Sequence, residues 1–384
     1  MEQPREQKEP EENQRNALPR TYDRKERHTL KRCPDCGGKL TKKKRKYKRT
    51  IIHIELPQSE VVLHECGSYY CATCKKEVIA RVHDALPKSK FDLQTAVFIS
   101  FLYVALNVST GKIAQFFSEI LGIDISKATI SNTLVRLKNY LGEEYDYLEE
   151  EIKKAKVRYR DETGWRHSGK NFWAWVVATS KGVIYRIEKR RSHSVAAKLK
   201  ADRGVDVSDG YTAYNKLTTQ KQRCWAHMLR IARNPEYGFT DEREYTAYVR
   251  LVEKLGKLFH DAKEAKKRKK VSAKLRARFD KRLEKLLLSV KWLGKNADKL
   301  INYIMHFNGE WFTFLEYKEV EPTNNKAERS LRHVVIKRKI SQQSRSIDGM
   351  NSYAMQASLY MTSHQKQEKY TDYLMHVLEN KIHE

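Results

Sequence analysis

The sequence predicts a multidomain α+β protein, and three observations point to this fold class. The chain has 384 residues, and at about 150 residues per domain this length predicts two or three domains. Two Cys-x-x-Cys pairs lie near the N-terminus, in a segment with alternating apolar residues. The hydrophobic period then changes along the chain from helical to strand-like and back to helical.

The charge balance indicates a polyanionic partner. The 76 basic and 48 acidic side chains leave a net charge of +28, which is too basic for an ordinary metabolic enzyme. Among proteins of this kind the polyanion is usually nucleic acid. Charge alone does not name a reaction.

Composition also excludes several protein classes. The longest apolar run, residues 96–108, is shorter than the roughly 18 to 20 residues of a bilayer span, so we expect a buried helix and no membrane partner. The N-terminus lacks the apolar core of a secretion signal, and we therefore expect a cytoplasmic protein. Residues 1–30 mix both charge signs with few apolar side chains, which predicts a mobile charged tail.

Residues 31–88 are predicted to form a zinc ribbon. The two pairs, Cys33 with Cys36 and Cys71 with Cys74, match a four-cysteine Zn²⁺ site in which each tight turn presents two thiolates. His64 and Cys66 could each replace one ligand but belong to neither pair. Strands are expected at 51–54 and 61–63, and the basic run at 42–46 is either a DNA arm or a solvated hairpin.

Residues 89–155 are predicted to be helical. A helix around 111–117 precedes a glycine turn, and Ser126 can cap a second helix that carries Thr129, Ser131 and Asn132. This pattern fits a helix-turn-helix that binds DNA. An ordinary helical hairpin without a DNA contact fits the pattern equally well.

The period becomes strand-like in residues 156–236, with strand candidates at 157–161, 172–177, 183–187 and 205–209. Residues 237–317 are helical again, with leucine stripes that start at Leu251 and Leu275. A C-terminal helix is expected at 351–384.

Three carboxylates in this region are candidates for cation binding. Strand alternation places Asp161 and Asp209 on inward faces at strand ends, and Glu328 lies beside the buried stripe of a helix that Thr323 or Asn324 can cap. Three converging carboxylates would repel one another unless divalent cations neutralised them. Two Mg²⁺ ions could then activate a water or a DNA 3′-hydroxyl for phosphoryl transfer.

Other readings of these acids stay open from the residues alone. Each could be an ordinary strand-end, turn or helix-surface residue. Glu162 and Asp206 could substitute for Asp161 and Asp209, because they lie in the same segments.

At this point the chain resembles the transposases of the insertion sequence 66 family. The motifs that carry the resemblance are residues 161–165 (Asp-Glu-Thr-Gly-Trp), 208–211 (Ser-Asp-Gly-Tyr), 223–227 (Arg-Cys-Trp-Ala-His) and 322–332 (Pro-Thr-Asn-Asn-Lys-Ala-Glu-Arg-Ser-Leu-Arg). The resemblance implies a ribonuclease H-like α/β catalytic domain at 156–236 and 318–350, interrupted by an α-helical insertion at 237–317.

The resemblance also implies a catalytic triad of Asp161, Asp209 and Glu328 that binds two Mg²⁺ or Mn²⁺ ions. Further active-site or DNA contacts are expected from residues near the motifs, namely His227, Trp225, Asn325, Arg329 and Arg332. For His227 a packed core position is the alternative, and for the basic residues a solvated helix face. Cys224 beside His227 also suggests a thiol nucleophile, which no other residue supports.

The predicted function is a DDE transposase that binds the terminal inverted repeats of its element as double-stranded DNA and cuts and joins strands. Holding two ends together implies a homodimer or larger synaptic complex, and other element-encoded proteins can accompany it. The expected location is the prokaryotic cytoplasm, on the nucleoid. The alternatives are a non-catalytic DNA-binding regulator, a domesticated transposase, and a metal-dependent nuclease that does not join strands.

Overall fold

The computed structural model describes Lys25 and residues 29–30, 32–41, 59–80, 82–87, 89–201, 203–268, 270–289 and 294–383. Spatial contacts divide the chain into two compact units, residues 1–58 and residues 59–384. Most of the predicted tail, the strand predicted at 51–54 and the basic run at 42–46 lie outside the described residues.

In the first unit, the backbone turns back on itself at the first cysteine pair. The Gly37 N–H donates to the Cys33 carbonyl at 2.9 Å, and the Cys33 N–H donates to the Gly38 carbonyl at 3.0 Å. Gly37 has a φ of 72°, a left-handed conformation that favours glycine. Cys33 and Cys36 therefore share one tight turn.

The second unit begins with a hairpin around the second cysteine pair. Strand β1 (Ser68–Cys71) pairs antiparallel with β2 (Lys76–Ile79), and Cys74 lies in the turn between them. The strand predicted at 61–63 is wrong. These residues belong to no strand of the described chain, and their apolar side chains are exposed, so no packed face holds them in a sheet.

Four helices follow, as the helical period predicts. They are α1 (Leu93–Ser100), α2 (Thr110–Leu121), α3 (Lys127–Tyr140) and α4 (Gly142–Lys154), and a π-helical turn at Phe101–Ala105 continues α1. The apolar run at 96–108 is thus mostly a buried helix, as expected.

The caps between α2 and α3 agree with the sequence. Gly122 ends α2 in a left-handed conformation, with a φ of 67°. The Ser126 side chain caps α3 by accepting the Thr129 N–H at 3.1 Å. Phe117 of α2 and Ile130 of α3 are buried in one apolar cluster, which holds the two helices together.

A five-stranded sheet lies at the centre of the second unit. Its strands are β3 (Val157–His167), β4 (Lys170–Ala178), β5 (Val183–Glu188), β6 (Val205–Ser208) and β7 (Gln220–Arg223), in the spatial order β5-β4-β3-β6-β7. Strands β3, β4 and β5 are antiparallel neighbours, whereas β6 and β7 run parallel to β3. Strand β3 is therefore central, and its pairing with β6 covers only Val157 to Tyr159.

The apolar runs predicted four of these strands, but β7 was missed because its sequence, Gln-Lys-Gln-Arg, is polar. Its side chains are satisfied inside the protein. The Gln222 amide is fully buried, donates to the Trp311 carbonyl at 2.9 Å and accepts the Phe314 N–H at 2.8 Å.

The remaining helices are α5 (His193–Ala196), α6 (Trp225–Arg233), α7 (Glu242–Arg268), α8 (Ala273–Leu288), α9 (Lys295–His306), α10 (Asn325–Ser341), α11 (Ile347–Gln365) and α12 (Tyr370–His383). Helices cover both faces of the sheet. Val176 and Val207 pack on one face in a cluster that includes residues of α6 to α11, and Val177 and Ile184 pack on the other with α1, α3, α4 and α12. The leucine stripes of α7 and α8 are buried, as predicted.

The segment 351–384 was predicted as one helix, and this prediction is wrong. It contains most of α11 and all of the described part of α12, because the chain reverses at Gln367, which has a φ of 62°. Helix α11 also covers the edge strand β5, whose Val183 and Tyr185 N–H groups donate to the hydroxyls of Thr362 and Ser358 at 3.0 and 2.8 Å. A sheet edge satisfied in this way is closed to pairing with another strand.

None of the helices in the described residues combines the length and the apolar character that crossing a bilayer requires.

Candidate active site

Asp161 lies in the middle of the central strand, opposite Val176 of β4. The prediction that it ends a strand is wrong, because β3 continues through Gly164 and Trp165 to His167 in antiparallel pairing with β4. The pairing with parallel β6, however, stops at Tyr159. Asp161 therefore sits just beyond the last residue of β3 that pairs with its parallel neighbour.

Asp209 follows directly after β6, as predicted. Its Oδ1 accepts the Tyr211 N–H at 2.9 Å, and its carbonyl accepts a hydrogen bond from Nη1 of Arg223 at 2.7 Å. A side chain at Gly210 would collide with the ring of Tyr303 from α9. This close approach fixes the chain immediately after Asp209.

Glu328 lies in the first turn of α10, whose N-cap residue is Asn324. The predicted side-chain cap by Thr323 or Asn324 does not form. Instead, the fully buried Asn324 donates from Nδ2 to the Arg160 carbonyl of β3 at 2.7 Å. This hydrogen bond ties the start of α10 to the strand that carries Asp161.

Asp161 lies within electrostatic range of both Asp209 and Glu328. Burial, together with the negative charges of Asp209, Glu162 and Glu328, raises the pKa of Asp161 to about 8, against a hydrogen bond from the Glu162 N–H. Among the described residues, no ion pair joins Asp161 or Asp209 to a basic side chain. Like charges that share a buried region without a basic partner favour a bound cation.

The two alternative carboxylates have partners of their own. Glu162 accepts from Nε and Nη2 of Arg191 at 2.9 and 2.7 Å, and from the Tyr214 hydroxyl. Burial raises the pKa of Glu162, while the Tyr214 and Arg191 hydrogen bonds oppose that rise.

Asp206 is likewise enclosed by donors. Its Oδ1 accepts from Nε of Arg158 at 2.9 Å and from Nε of Arg160 at 2.7 Å, and its Oδ2 accepts from the Thr219 hydroxyl. Although burial opposes it, the charges of Arg160 and Arg158 hold the pKa of Asp206 below its usual range. Glu162 and Asp206 are thus both engaged in internal ion pairs.

Helix α6 brings two more polar side chains to Glu328. Cys224 is its N-cap residue, and His227 follows in the first turn. One ligand atom each of Cys224, His227 and Glu328 lies within 4.8 Å of the others, and His227 Nδ1 is 3.5 Å from Glu328 Oε1. Both of these last atoms are buried and lack a hydrogen-bond partner among the described residues.

The surroundings of the Cys224 thiol do not favour the thiolate that a nucleophile requires. Burial raises its pKa, against the N–H groups of Asn324, His227 and Ala226, and the Asn324 N–H donates to Sγ at 3.2 Å. Sequence analysis suggested only a nucleophilic role for this thiol. Cys224 and His227 are three residues apart at the start of a helix, and this spacing could have indicated that their side chains lie side by side.

Trp225 does not reach this site, so the expected DNA contact is wrong. It is fully buried, stacks on Phe259 with ring centroids 4.9 Å apart, and donates from Nε1 to the Trp311 carbonyl at 2.6 Å. A large aromatic ring adjacent to a polar site is here a core residue that positions α6.

The basic and polar residues of α10 divide by exposure. Asn325, Arg329 and Arg332 are exposed, as a contact with DNA requires. Lys337, farther along the same helix, is buried and donates to the carbonyls of Tyr103 and Val108 at 2.8 and 3.2 Å. Its ammonium group is therefore engaged inside the protein.

Sequence analysis did not identify Arg191 as a residue near the site. Its guanidinium carbon lies 3.9 Å from the ring centroid of Tyr211 and 4.6 Å from that of Trp173. It links the segment after Asp209 to Glu162 of β3. In the sequence, Arg191 appears only as part of the basic run 189–191, and such runs are usually solvated.

The two cysteine pairs each form a knuckle. Backbone N–H groups of Asp35 and Cys36 lower the pKa of the Cys33 thiol, and the Cys74 backbone N–H and thiol lower that of Cys71. Donors aimed at a thiol favour the thiolate that a metal needs. The first pair lies in residues 1–58 and the second in 59–384.

Comparison with known families shows to which family the chain belongs. The sequence profile of the transposase IS66 family matches residues 97–352, which is more than half of the chain. The match includes Asp161, Asp209, His227 and Glu328, and it does not extend to the cysteine pairs. A search of curated proteins gives no match. The chain belongs to the transposase IS66 family.

Proposed function

We propose that this transposase is a DDE enzyme that cuts and joins DNA strands, with Asp161, Asp209 and Glu328 as its catalytic triad. The observation that carries the proposal is the pair of neighbouring strands β3 and β6. Asp161 on β3 lies within electrostatic range of Asp209, which follows β6, and of Glu328, while the acids beside Asp161 and Asp209 are occupied by internal ion pairs.

The sheet supports a ribonuclease H-like domain made of residues 156–236 and 318–350. Strands β5, β4 and β3 are antiparallel neighbours, and β6 and β7 run parallel to β3. The first strand of this sheet along the chain, β3, is the central one. Between Asp209 and Glu328 the chain inserts α7, α8 and α9, which fits a helical insertion at 237–317. The triad thus comes from β3, the end of β6 and α10.

The residues at the triad fit divalent cations. Carboxylate oxygens are the ligands that Mg²⁺ and Mn²⁺ prefer. Glu328 Oε1 is buried without a hydrogen-bond partner among the described residues, and the pKa of Asp161 is raised to about 8 by burial and by neighbouring negative charges. Asp161, Asp209 and Glu328 would hold two such ions.

When bound, the ions supply Lewis-acid activation of a water or a 3′-hydroxyl and stabilisation of the leaving oxygen. The protein supplies position. Asn324 fixes the Glu328 helix on β3, and Arg223 fixes the backbone of Asp209. A rigid carboxylate set lowers the reorganisation that the reaction requires.

DNA would be held by several elements around the triad. Helix α3 presents exposed Lys127 and Asn132 after the Ser126 cap, which suits a recognition helix in a helix-turn-helix within 89–155. Cys33, Cys36, Cys71 and Cys74 would bind structural Zn²⁺ in a ribbon at 31–88. Asn325, Arg329 and Arg332 would contact phosphates beside Glu328.

Two transposon ends must be cut in concert, so the active species would be a homodimer or larger synaptic complex. Other proteins of the same element would assist it. The terminal inverted repeats are the proposed double-stranded substrate.

The test uses DNA with the inverted repeats that flank the gene, incubated with the protein and Mg²⁺. The native protein should yield cleaved ends and joined products, and Asp161→Asn should bind the ends but release none. Asp146→Asn, an exposed acid of α4, is the matched control and should cleave normally. Unchanged cleavage by Asp161→Asn would refute the triad. Binding without cleavage by the native protein would instead favour a non-catalytic regulator, and cleavage without joining would favour a nuclease.

A further inference from the structure

We propose that Cys224, His227 and Glu328 form a binding site for a thiophilic divalent cation such as Zn²⁺ or Co²⁺. The inference goes beyond the proposed triad, with which the site shares only Glu328. Two helix starts create the site, since Cys224 and His227 belong to the first turn of α6 and Glu328 to the first turn of α10.

The two helix starts are held together by direct hydrogen bonds. The Trp225 N–H donates to the Pro322 carbonyl at 3.0 Å, and the Asn324 N–H donates to Cys224 Sγ at 3.2 Å. The Cys224 N–H also donates to the Ser208 carbonyl at the end of β6, at 2.9 Å. These hydrogen bonds therefore hold the three ligand side chains close together before any cation binds.

The spacing of the ligand atoms matches a tetrahedral cation. With bonds of about 2.1 Å to nitrogen and oxygen, two ligands of tetrahedral zinc lie about 3.4 Å apart. His227 Nδ1 and Glu328 Oε1 are separated by 3.5 Å, and Cys224 offers its sulfur within 4.8 Å of both residues' ligand atoms. One position of the tetrahedron is left for water.

The donors also explain which cation is preferred. Sulfur and imidazole ligands select Zn²⁺ and Co²⁺ over Mg²⁺. His227 Nδ1 and Glu328 Oε1 are buried and have no hydrogen-bond partner among the described residues, which is costly unless a ligand satisfies them. Binding would replace the Cys224 sulfur–hydrogen bond by a sulfur–metal bond and release one proton to water, without oxidation or reduction.

The shared carboxylate gives the site a consequence for the reaction. A cation held by Cys224 and His227 competes for Glu328 with the ions of the proposed triad. Excess Zn²⁺ should therefore inhibit strand cleavage in the presence of Mg²⁺.

The decisive experiment is a Co²⁺ titration of the full-length protein after saturation with one equivalent of Zn²⁺. The native protein should bind a further Co²⁺ and develop the absorption of cobalt–thiolate coordination. Cys224→Ser should lose this absorption, and His227→Ala should weaken or lose it. Cys66→Ser is the matched control, because this exposed cysteine belongs to neither pair and its variant should retain the signal.

Persistence of the cobalt–thiolate absorption in Cys224→Ser, or its absence from the native protein, would overturn the proposed cation site. His227→Ala keeps the test decisive if Cys224→Ser fails to fold. Asp161→Asn should keep the absorption while losing cleavage, so the cation site and the catalytic triad can fail independently. Inhibition by Zn²⁺ should be relieved in Cys224→Ser relative to Cys66→Ser, and equal inhibition of both variants would refute the competition for Glu328.

Discussion

Strand β3 carries Asp161 and Glu162, while Asp206 lies in β6 and Asp209 directly follows it. In each of these two sets, one acid forms an ion pair with a basic side chain and the other forms none among the described residues. Asp206 is enclosed by Arg158 and Arg160, and Glu162 is paired with Arg191. Asp161 and Asp209 have no such pairing among the described residues. A buried charge is tolerated when it is paired, and an unpaired group marks a place where a partner from outside the chain is needed.

The pKa directions express the same contrast. The pKa of Asp206 is held below its usual range by the two arginines despite its burial, so the folded protein prefers the charged form. The pKa of Asp161 rises to about 8 through burial and neighbouring negative charges, so the folded protein without a cation prefers the protonated form. The first acid stabilises the fold at neutral pH, and the second destabilises it.

The largest effect is expected for Asp209→Asn, which should leave folding intact and remove catalysis. Loss of a proposed cation ligand should slow cleavage by at least about 10⁴-fold, or about 5 kcal/mol of activation free energy. Single-turnover cleavage of an end-containing duplex measures the rate, and circular dichroism checks the fold. A rate within tenfold of the native protein would remove Asp209 from the triad.

Asp206→Asn should show the opposite outcome, with a cost in folding of about 3–5 kcal/mol, because two buried guanidinium groups lose their counter-charge. The stabilisation by Asp206 is present above its unfolded pKa of 3.8 and is lost as the pH falls through its lower folded pKa. Urea unfolding at several pH values between 2 and 7 measures both effects. A variant as stable as the native protein at pH 7 would show that Asp206 is not the partner that Arg158 and Arg160 need.

The sequence alone could predict that carboxylates of these two segments face inward. It could not predict which acid of each segment is paired with an arginine. Strand alternation placed Asp161 and Asp209 inward, yet Glu162 and Asp206 occupy the same segments. What separates them is Arg158, Arg160 and Arg191. Side-chain pairing of this kind depends on where a guanidinium folds back, and sequence periodicity carries no information about that.

The fold shows the same limit. Apolar periodicity predicted a helical region where α1 to α4 lie, and it predicted strands β3 to β6, because burial on one face leaves a pattern in the sequence. It missed β7, since Gln222 satisfies its polar atoms inside the core. It placed a strand at 61–63, where the apolar side chains are exposed.

Asp161→Asn should stabilise the cation-free protein, which sharpens the contrast with Asp206. The free-energy cost of ionising Asp161, which comes first from burial and then from the neighbouring negative charges, is absent below the unfolded pKa of 3.8 and grows until the pH passes the folded pKa of about 8. The variant should therefore gain of the order of 2 kcal/mol at pH 8 and nothing near pH 4, since water screens part of this cost.

Thermal unfolding with a chelator present, repeated with Mg²⁺, measures the effect of Asp161→Asn. Mg²⁺ should stabilise the native protein more than the variant, which lacks one of the proposed cation ligands. Asp206→Asn is the control and should destabilise the protein, because Arg158 and Arg160 lose their counter-charge. An Asp161→Asn variant that is less stable than the native protein at pH 8 would mean that ionised Asp161 does not destabilise the cation-free fold.

The smallest effect is expected for a basic residue on the exposed face of α10, compared with a buried basic residue of the same helix. Exposed Arg332 is free to contact a phosphate, whereas buried Lys337 donates to the Tyr103 and Val108 carbonyls. Arg332→Gln should reduce the slope of log binding constant against log salt concentration by about 1, because one fewer counterion is released. Lys337→Met should leave that slope unchanged in the folded fraction and lower stability instead. Equal slopes for the native protein and Arg332→Gln would place the DNA backbone away from this face of α10.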